Sequence, residues 1–155
     1  MKLKKISLLV VKFTILIPFG LCAAFLLLIG KLFGFSYKEI SVIFNLWIQG
    51  AVLMISGLLP SVAQTVAIIN EPSLTNGMFL FFFLIYASIY VVGFIVLLKH
   101  YNLPYNDAFD LCVNDLLWIA DKWHISYHAV NLVIFVLWWL SIVFVNIFLS
   151  YIIIR

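Results

Sequence analysis

The sequence contains four apolar stretches, each long enough to cross a lipid bilayer as a helix. They cover about residues 6–29, 40–59 or 40–69, 78–98 and 130–154. A helix rises about 1.5 Å per residue, so roughly 20 residues span about 30 Å of hydrocarbon. The pattern predicts an all-α, polytopic membrane protein with four transmembrane helices, in which residues 1–155 form a single membrane domain.

The composition excludes a soluble globule. Hydrophobic residues make up 66% of the 155 residues and charged residues 10%, whereas soluble domains hold about 45–50% apolar and about 25% charged residues. A domain of this size buries only part of the surface that its unfolded chain exposes, so the bilayer must act as the solvent. The net charge of +3 is scattered and forms no basic stripe, so nucleic acid is not an expected partner.

Two segments leave alternatives open. The N-terminus resembles a signal peptide, but its apolar run continues through Ile29, beyond the roughly 7–15 residues of a signal sequence. This favours an uncleaved first span. Pro60 divides the second stretch: either the helix kinks there and continues to Ile69, or it ends near Leu59 and residues 61–70 lie at the membrane interface.

An amphipathic segment at about residues 107–123 precedes the last span. Its apolar residues recur at intervals of three and four, which predicts one apolar helix face, made of Phe109, Cys112, Val113, Leu116, Ile119, Ala120 and Trp123. Four aspartates and one lysine stand among the remaining positions, so we expect an interfacial helix that lies on the protein or on the less acidic leaflet. Asp107, Asp110 and Asp115 are candidate residues for docking a partner.

An internal repeat relates residues 19–43 to residues 109–133 at an offset of 90 positions, without a gap. The identical pairs are Phe19/Phe109, Leu21/Leu111, Cys22/Cys112, Leu26/Leu116, Leu27/Leu117, Ile29/Ile119, Ser36/Ser126 and Tyr37/Tyr127. Leu and Ile coincide often in apolar sequence, but Cys, Ser and Tyr in one register favour a duplication. The second and fourth spans would run in the same direction, so the predicted repeat is parallel.

Each copy of the repeat places a Ser-Tyr pair directly before a span. We expect Ser36 and Ser126 to cap the following helix by accepting its free N–H groups. Tyr37 and Tyr127 suit the bilayer interface, where the apolar ring is covered and the hydroxyl reaches water. These four residues are therefore predicted to anchor the repeat at the interface.

Polar side chains form a stripe on the second span. Asn45, Gln49 and Ser56 share one helix face, and Gln64 extends it if the helix continues past Pro60. Hydrogen bonding between helices, at about 0.6–2 kcal/mol per contact, is the favoured interpretation. The alternative is the lining of a small polar pathway. Partners for the stripe in either case are expected in the last span, at Ser141, Asn146 and Ser150.

The sequence offers little catalytic chemistry. It has no motif for a nucleophile with its base, for phosphate or for a dinucleotide, so neither an enzyme nor a cofactor is predicted. Asp121, His124 and His128 would share one face of an unbroken helix and include residue types that bind zinc. Because the Ser-Tyr connection lies between the two histidines, we predict water-facing histidines there and no metal site.

These features predict a non-enzymatic integral membrane protein that acts as an assembly, scaffold or accessory subunit of a homo- or hetero-oligomeric complex. The alternative is an oligomeric channel or small transporter whose polar pathway is lined by the second span. The expected partners are the bilayer and either further copies or a larger membrane protein, in the inner or plasma membrane. Four spans divide the nine Lys and Arg residues five to four, and the basic N-terminus favours both termini in the cytoplasm.

Overall fold

A computed structural model describes residues 12–155, except for the side chain of residue 12. All regular structure in this part of the chain is helical, in agreement with the predicted fold class. The elements in chain order are π1 (Lys12–Leu16), α1 (Ile17–Phe33), α2 (Tyr37–Val42), π2 (Ile43–Ile48), α3 (Gln49–Asn70), α4 (Leu74–His100), α5 (Tyr105–Trp123), α6 (Tyr127–Leu132), π3 (Val133–Trp138) and α7 (Trp139–Ile154). The segments named π are π-helical.

Four helices are long and apolar enough to cross a membrane, which suggests a membrane location. They are Phe13–Phe33, Tyr37–Asn70, Leu74–His100 and Tyr127–Ile154. The predicted start of the first span, near residue 6, lies outside the described residues. The second helix continues through Pro60 to Asn70, so residues 61–70 extend the helix and do not form a separate piece.

The chain forms two compact units. One consists of the described part of Met1–Asn45 together with Tyr101–Leu137. Its buried positions fall on α1, α2, α5 and α6, where short and branched side chains interlock. They include Leu26, Gly30, Ile40, Leu116, Ala120 and Val130.

Two connections of similar geometry turn the chain within this unit. α1 ends at Gly34 with φ 76° and α5 ends at His124 with φ 54°, the left-handed conformation that commonly terminates helices. Phe35 then donates its N–H to the Gly30 carbonyl at 2.8 Å, and Ile125 donates to the Ala120 carbonyl at 3.0 Å. Each connection is therefore closed by a backbone hydrogen bond across the helix end.

Serines begin the helices that follow these connections. The Ser36 Oγ accepts from the Glu39 N–H at 3.3 Å, and the Glu39 carboxylate accepts from the Ser36 N–H at 2.7 Å. The Ser126 Oγ accepts from the Ala129 N–H at 3.2 Å. Both serines thus cap a helix as predicted, and the first cap is reciprocal because residue 39 is an acid.

The other unit consists of Leu46–His100 and Trp138–Arg155. In it, α3 packs against both α4 and α7. Gly50 lies against the rings and methyl groups of Phe94 and Leu97, and Gly57 lies against the ring of Tyr90. Small residues of this kind let helices approach closely where lipid supplies no hydrophobic driving force.

Candidate functional site

A buried polar cluster lies where α3, α4 and α7 meet. The Asn146 side chain is fully buried; its Nδ2 donates to the Ser56 Oγ at 3.1 Å and its Oδ1 accepts from the Tyr86 hydroxyl at 2.7 Å. The hydroxyls of Tyr86 and Tyr90 are 2.7 Å apart. We call Ser56, Tyr86, Tyr90 and Asn146 the Asn146 network.

The hydrogens in this network can be assigned from its geometry. Because Tyr86 gives its only hydroxyl hydrogen to Asn146, Tyr90 must be the donor in the tyrosine pair. Ser56 gives its hydrogen to the Leu53 carbonyl at 2.9 Å, which leaves its lone pairs for Asn146. An amide buried in an apolar setting is costly unless it is hydrogen-bonded, and here both ends of the Asn146 side chain are bonded.

The rest of the predicted polar stripe is divided in the structure. Gln49 and Gln64 are buried, and the Gln64 Nε2 donates to the Asn76 carbonyl at 3.2 Å. The Gln49 backbone carbonyl accepts from the Trp139 indole at 3.1 Å. Asn45 is half-buried and belongs to the other compact unit. Of the predicted partners, Asn146 bonds to Ser56, and Ser150 donates to the Asn146 carbonyl at 2.7 Å.

Two of the three candidate docking aspartates have partners within the chain. Asp110 pairs with the Lys38 ammonium at 2.7 Å, and Asp115 accepts from the Tyr101 hydroxyl at 2.7 Å. Asp107 is exposed in the first turn of α5, where a negative charge complements the helix dipole. Trp123, expected on the apolar face of this helix, is 64% exposed.

The environment of α5 suppresses the reactivity of its cysteine. Burial and the nearby Asp115 charge raise the pKa of Cys112 to about 11, against an opposing hydrogen bond with Tyr101. Burial, followed by the bond to Asp115, also raises the pKa of Tyr101. Cys112 and Cys22 are both free. Because the thiolate is the nucleophilic form, the Cys112 thiol is poorly suited to covalent chemistry near neutral pH.

The predicted anchor tyrosines are half-buried against phenylalanines of α1 and α5. The Tyr37 ring lies 6.0 Å from the Phe109 ring, and the Tyr127 ring lies 6.4 Å from the Phe19 ring. The Tyr127 hydroxyl also accepts from the Asn131 side chain at 3.4 Å. These contacts give both tyrosines a packing role, while their place at the bilayer interface stays a prediction.

The structure does not bring Asp121, His124 and His128 together. The chain leaves the helix at His124, which takes the left-handed conformation, and the His128 ring instead packs edge-on against Phe19 at 4.7 Å. Within residues 12–155, no three His, Cys, Asp or Glu side chains are grouped as a metal site would require.

Two members of the Asn146 network, Tyr86 and Tyr90, and the adjacent Gly57 were not predicted from the sequence. The sequence does contain an indication of the tyrosine pair, because Tyr86 and Tyr90 are four residues apart and so share one helix face within an otherwise apolar span. Gly57 is required by packing, since it provides the space that the Tyr90 ring occupies.

Together, the fold and this site define a helical protein with four apolar helices, compatible with a multi-pass membrane protein. No known protein family, no curated protein and no solved structure matches the chain.

Proposed function

We propose that the chain is a non-enzymatic membrane subunit that assembles with further copies of itself or with a larger membrane protein. The observation that carries this proposal is that the Asn146 network closes on itself inside the fold. The polar groups of α3 then serve packing, while large aromatic side chains remain on the outside of the apolar helices. Phe81, Phe82, Phe144 and Phe148 are each 53–69% exposed.

A channel or small transporter has less support. A pathway lined by Asn45, Gln49, Ser56 and Gln64 requires these side chains to face water. Ser56 and Gln64 are each only 4% exposed, and both are hydrogen-bonded within the chain. Ion flux in reconstituted vesicles tests this alternative. Flux that is abolished by Asn45→Leu with Gln49→Leu would favour a channel or transporter over an assembly subunit.

We also propose that the chain carries a parallel internal duplication. Burial supports it, because Leu26, Gly30 and Ile40 are buried and the residues 90 positions later are buried as well, namely Leu116, Ala120 and Val130. The π-helical segments Ile43–Ile48 and Val133–Trp138 are separated by the same offset. Such coincidences in backbone and burial are not explained by frequent Leu and Ile.

Reciprocal contacts add support for the duplication. Phe19 meets Tyr127 at 6.4 Å and 73°, and the corresponding pair Phe109 and Tyr37 meets at 6.0 Å and 71°. In the other unit, bonds join corresponding positions directly: Trp139 to Gln49, and Asn146 to Ser56. We infer that the two copies pack as a covalently linked, parallel pair, in which an assembly interface already exists within one chain.

α5 is proposed to be an amphipathic interfacial helix that docks the partner. Its buried positions are Ala108, Leu116 and Ala120, and exposed polar residues occupy other positions, with Asp107 at its start and Asn114 in its middle. Asp107 is the best-placed docking residue, because Asp110 and Asp115 already stabilise the chain internally.

Native mass spectrometry of the protein, gently extracted from its own membrane, tests the assembly proposal. We expect a second polypeptide in fixed ratio or a closed homo-oligomer; a monomer bound only to lipid would contradict it. Asp107→Lys should weaken the complex. Glu71→Lys is the matched control, since it reverses a carboxylate in the turn between α3 and α4, remote in sequence from α5.

A further inference from the structure

α1 reaches across the beginnings of two other helices. Its C-terminal part packs on α2, where Gly30 lies against Ile40. Its N-terminal part packs on α6, where the Phe19 ring lies 4.7 Å from His128 and 6.4 Å from Tyr127. The two ends of α1 therefore lie beside the first residues of α2 and of α6.

These two helix beginnings lie on the same side of the membrane if the apolar helices cross it. The helix Tyr37–Asn70 crosses once and Leu74–His100 returns. α5 carries Asp107, Asp110, Asp115 and Asp121, and aspartates are costly inside a bilayer, so α5 does not cross. The helix Tyr127–Ile154 thus begins on the side where Tyr37–Asn70 begins.

We propose that α1 lies within the leaflet on that side, so that the chain crosses the bilayer three times and not four. A crossing helix has its ends on opposite sides, whereas Phe19 contacts the first residues of α6 and Gly30 contacts Ile40 near the start of α2, both on this one side. The helix Phe13–Phe33, which contains α1, is long and apolar enough to span, but length does not distinguish a spanning helix from an in-plane helix. α1 needs no water-facing polar side here, because its inner face packs on α2 and α6.

The outer face of α1 fits the acyl chains of this leaflet. Leu21, Phe25, Leu28 and Leu32 follow one another at intervals of four, three and four, and they are 66%, 50%, 59% and 70% exposed. Such spacing forms a single stripe on a helix. In the proposed position the stripe contacts lipid, and the buried positions Leu26 and Gly30 contact the protein.

The distribution of basic residues supports the same arrangement independently. Among the described residues, three crossings place five of the six Lys and Arg residues on the side of α1 and Arg155 on the opposite side. The five are Lys12, Lys31, Lys38, Lys99 and Lys122. Four crossings divide these six residues four to two. Because basic residues concentrate on the cytoplasmic side, the side of α1 is cytoplasmic and Arg155 is on the other side.

Cysteine accessibility in sealed, oriented vesicles tests the number of crossings. Single cysteines are placed in a Cys22→Ala/Cys112→Ala chain by Leu3→Cys, Ser73→Cys, Asn102→Cys or Arg155→Cys, and labelled with a membrane-impermeant maleimide. We expect positions 3 and 102 to label from one side and positions 73 and 155 from the other. Position 3 labelling together with 73 and 155 would overturn the proposal. Protease protection of epitope tags on the otherwise unchanged termini gives the same answer without cysteine substitutions.

Spin labels test the depth of α1. Ala24→Cys on α1 and Asn114→Cys on α5 occupy corresponding, exposed positions. We expect a label at position 24 to collide more with dissolved oxygen than with a water-soluble nickel chelate, and a label at position 114 to show the reverse. A label at position 24 that favours the nickel chelate would show a water-exposed α1 and would overturn its insertion in the leaflet.

Discussion

α3 and α7 occupy corresponding places in the two proposed copies, yet one carries glycine where the other carries large side chains. Gly57 lies against the Tyr90 ring of α4, whereas the corresponding Ile147 is 53% exposed. Gly50 likewise meets α4, whereas the corresponding Leu140 is 50% exposed. α4 has no counterpart in the repeat, so only the copy that it covers must lose side-chain volume.

The same contrast separates α1 and α5. Their inward positions agree, as Leu26/Leu116 and Gly30/Ala120 show, but the exposed Ala24 of α1 corresponds to the exposed Asn114 of α5. The inward positions are constrained by packing, because a change of even one methylene group alters the stability of a close-packed interior. The outward positions are free to follow the surroundings of each helix, which we propose to be lipid for α1 and water for α5.

The largest expected effect concerns the glycine that distinguishes α3 from α7. A Cβ at Gly57 would overlap the Tyr90 ring, so Gly57→Ala should force α3 and α4 apart and lower the free energy of unfolding by about 1–3 kcal/mol. Unfolding by denaturing detergent measures it. Gly93→Ala is the matched control, because a Cβ there meets nothing within 4 Å. Equal losses of stability at positions 57 and 93 would show that α3 does not need glycine at its contact with α4.

A somewhat smaller effect is expected at the Asn146–Ser56 bond, which joins the two proposed copies. Asn146→Leu leaves Ser56 and Tyr86 without their partner and should cost about 1–2 kcal/mol of unfolding free energy. Ser56→Ala with Asn146→Leu should cost less than the two single losses added together, because both remove one shared bond. Additive losses would mean that Ser56 and Asn146 do not stabilise each other.

Substitutions at the residues that follow α1 and α5 are expected to change stability in opposite directions. Gly34 and His124 both have positive φ, which costs residues other than glycine about 1–2 kcal/mol. Gly34→Ala should therefore destabilise by about 1 kcal/mol, and His124→Gly should stabilise by about 0.5–1 kcal/mol. Thermal unfolding in detergent would measure both. Destabilisation by His124→Gly would show that the histidine side chain has a role of its own.

The smallest effect is expected at the exposed ion pair. Lys38 and Asp110 pair at 2.7 Å, with side chains 41% and 59% exposed, so Lys38→Met should cost less than about 1 kcal/mol. High salt should abolish the difference, since exposed charges are screened. His128→Met provides the comparison in the other copy, where the matching residue contacts Phe19. The Lys38 ammonium also lies 5.3 Å from the centre of the Phe109 ring, so a loss that salt does not change would indicate packing on this ring as the main contribution of Lys38.

The apolar helices and the serine caps could be predicted from the sequence because their signals are local. A run of apolar residues fixes a helix, and Ser36 and Ser126 stand directly before the residues whose N–H groups they accept. Helix ends are less sharply defined by the sequence. α1 runs to Phe33, whereas the predicted span ends near residue 29, and α5 begins at Tyr105, whereas the predicted helix begins near residue 107.

The partners of individual side chains could not be predicted, because they depend on tertiary packing. Asn146 meets the second span at Ser56, as expected, but its other bond, to Tyr86, joins residues 60 positions apart and was not predicted. Lys38 and Asp110 are 72 positions apart, and no local pattern connects them. The π-helical segments also lack a sequence signal, since residues 43–48 read as ordinary apolar helix.

The claim that corresponding positions of the two copies face each other is tested most directly by cross-linking α3 to α7. In a Cys22→Ala/Cys112→Ala chain, Ser56→Cys is combined with Asn146→Cys or with Ser150→Cys, one turn further along α7. We predict rapid oxidative cross-linking within one chain for the pair 56 and 146, which is offset by 90 positions, and slow cross-linking for 56 and 150. Equal rates, or faster linking to position 150, would contradict the parallel pairing of the two copies.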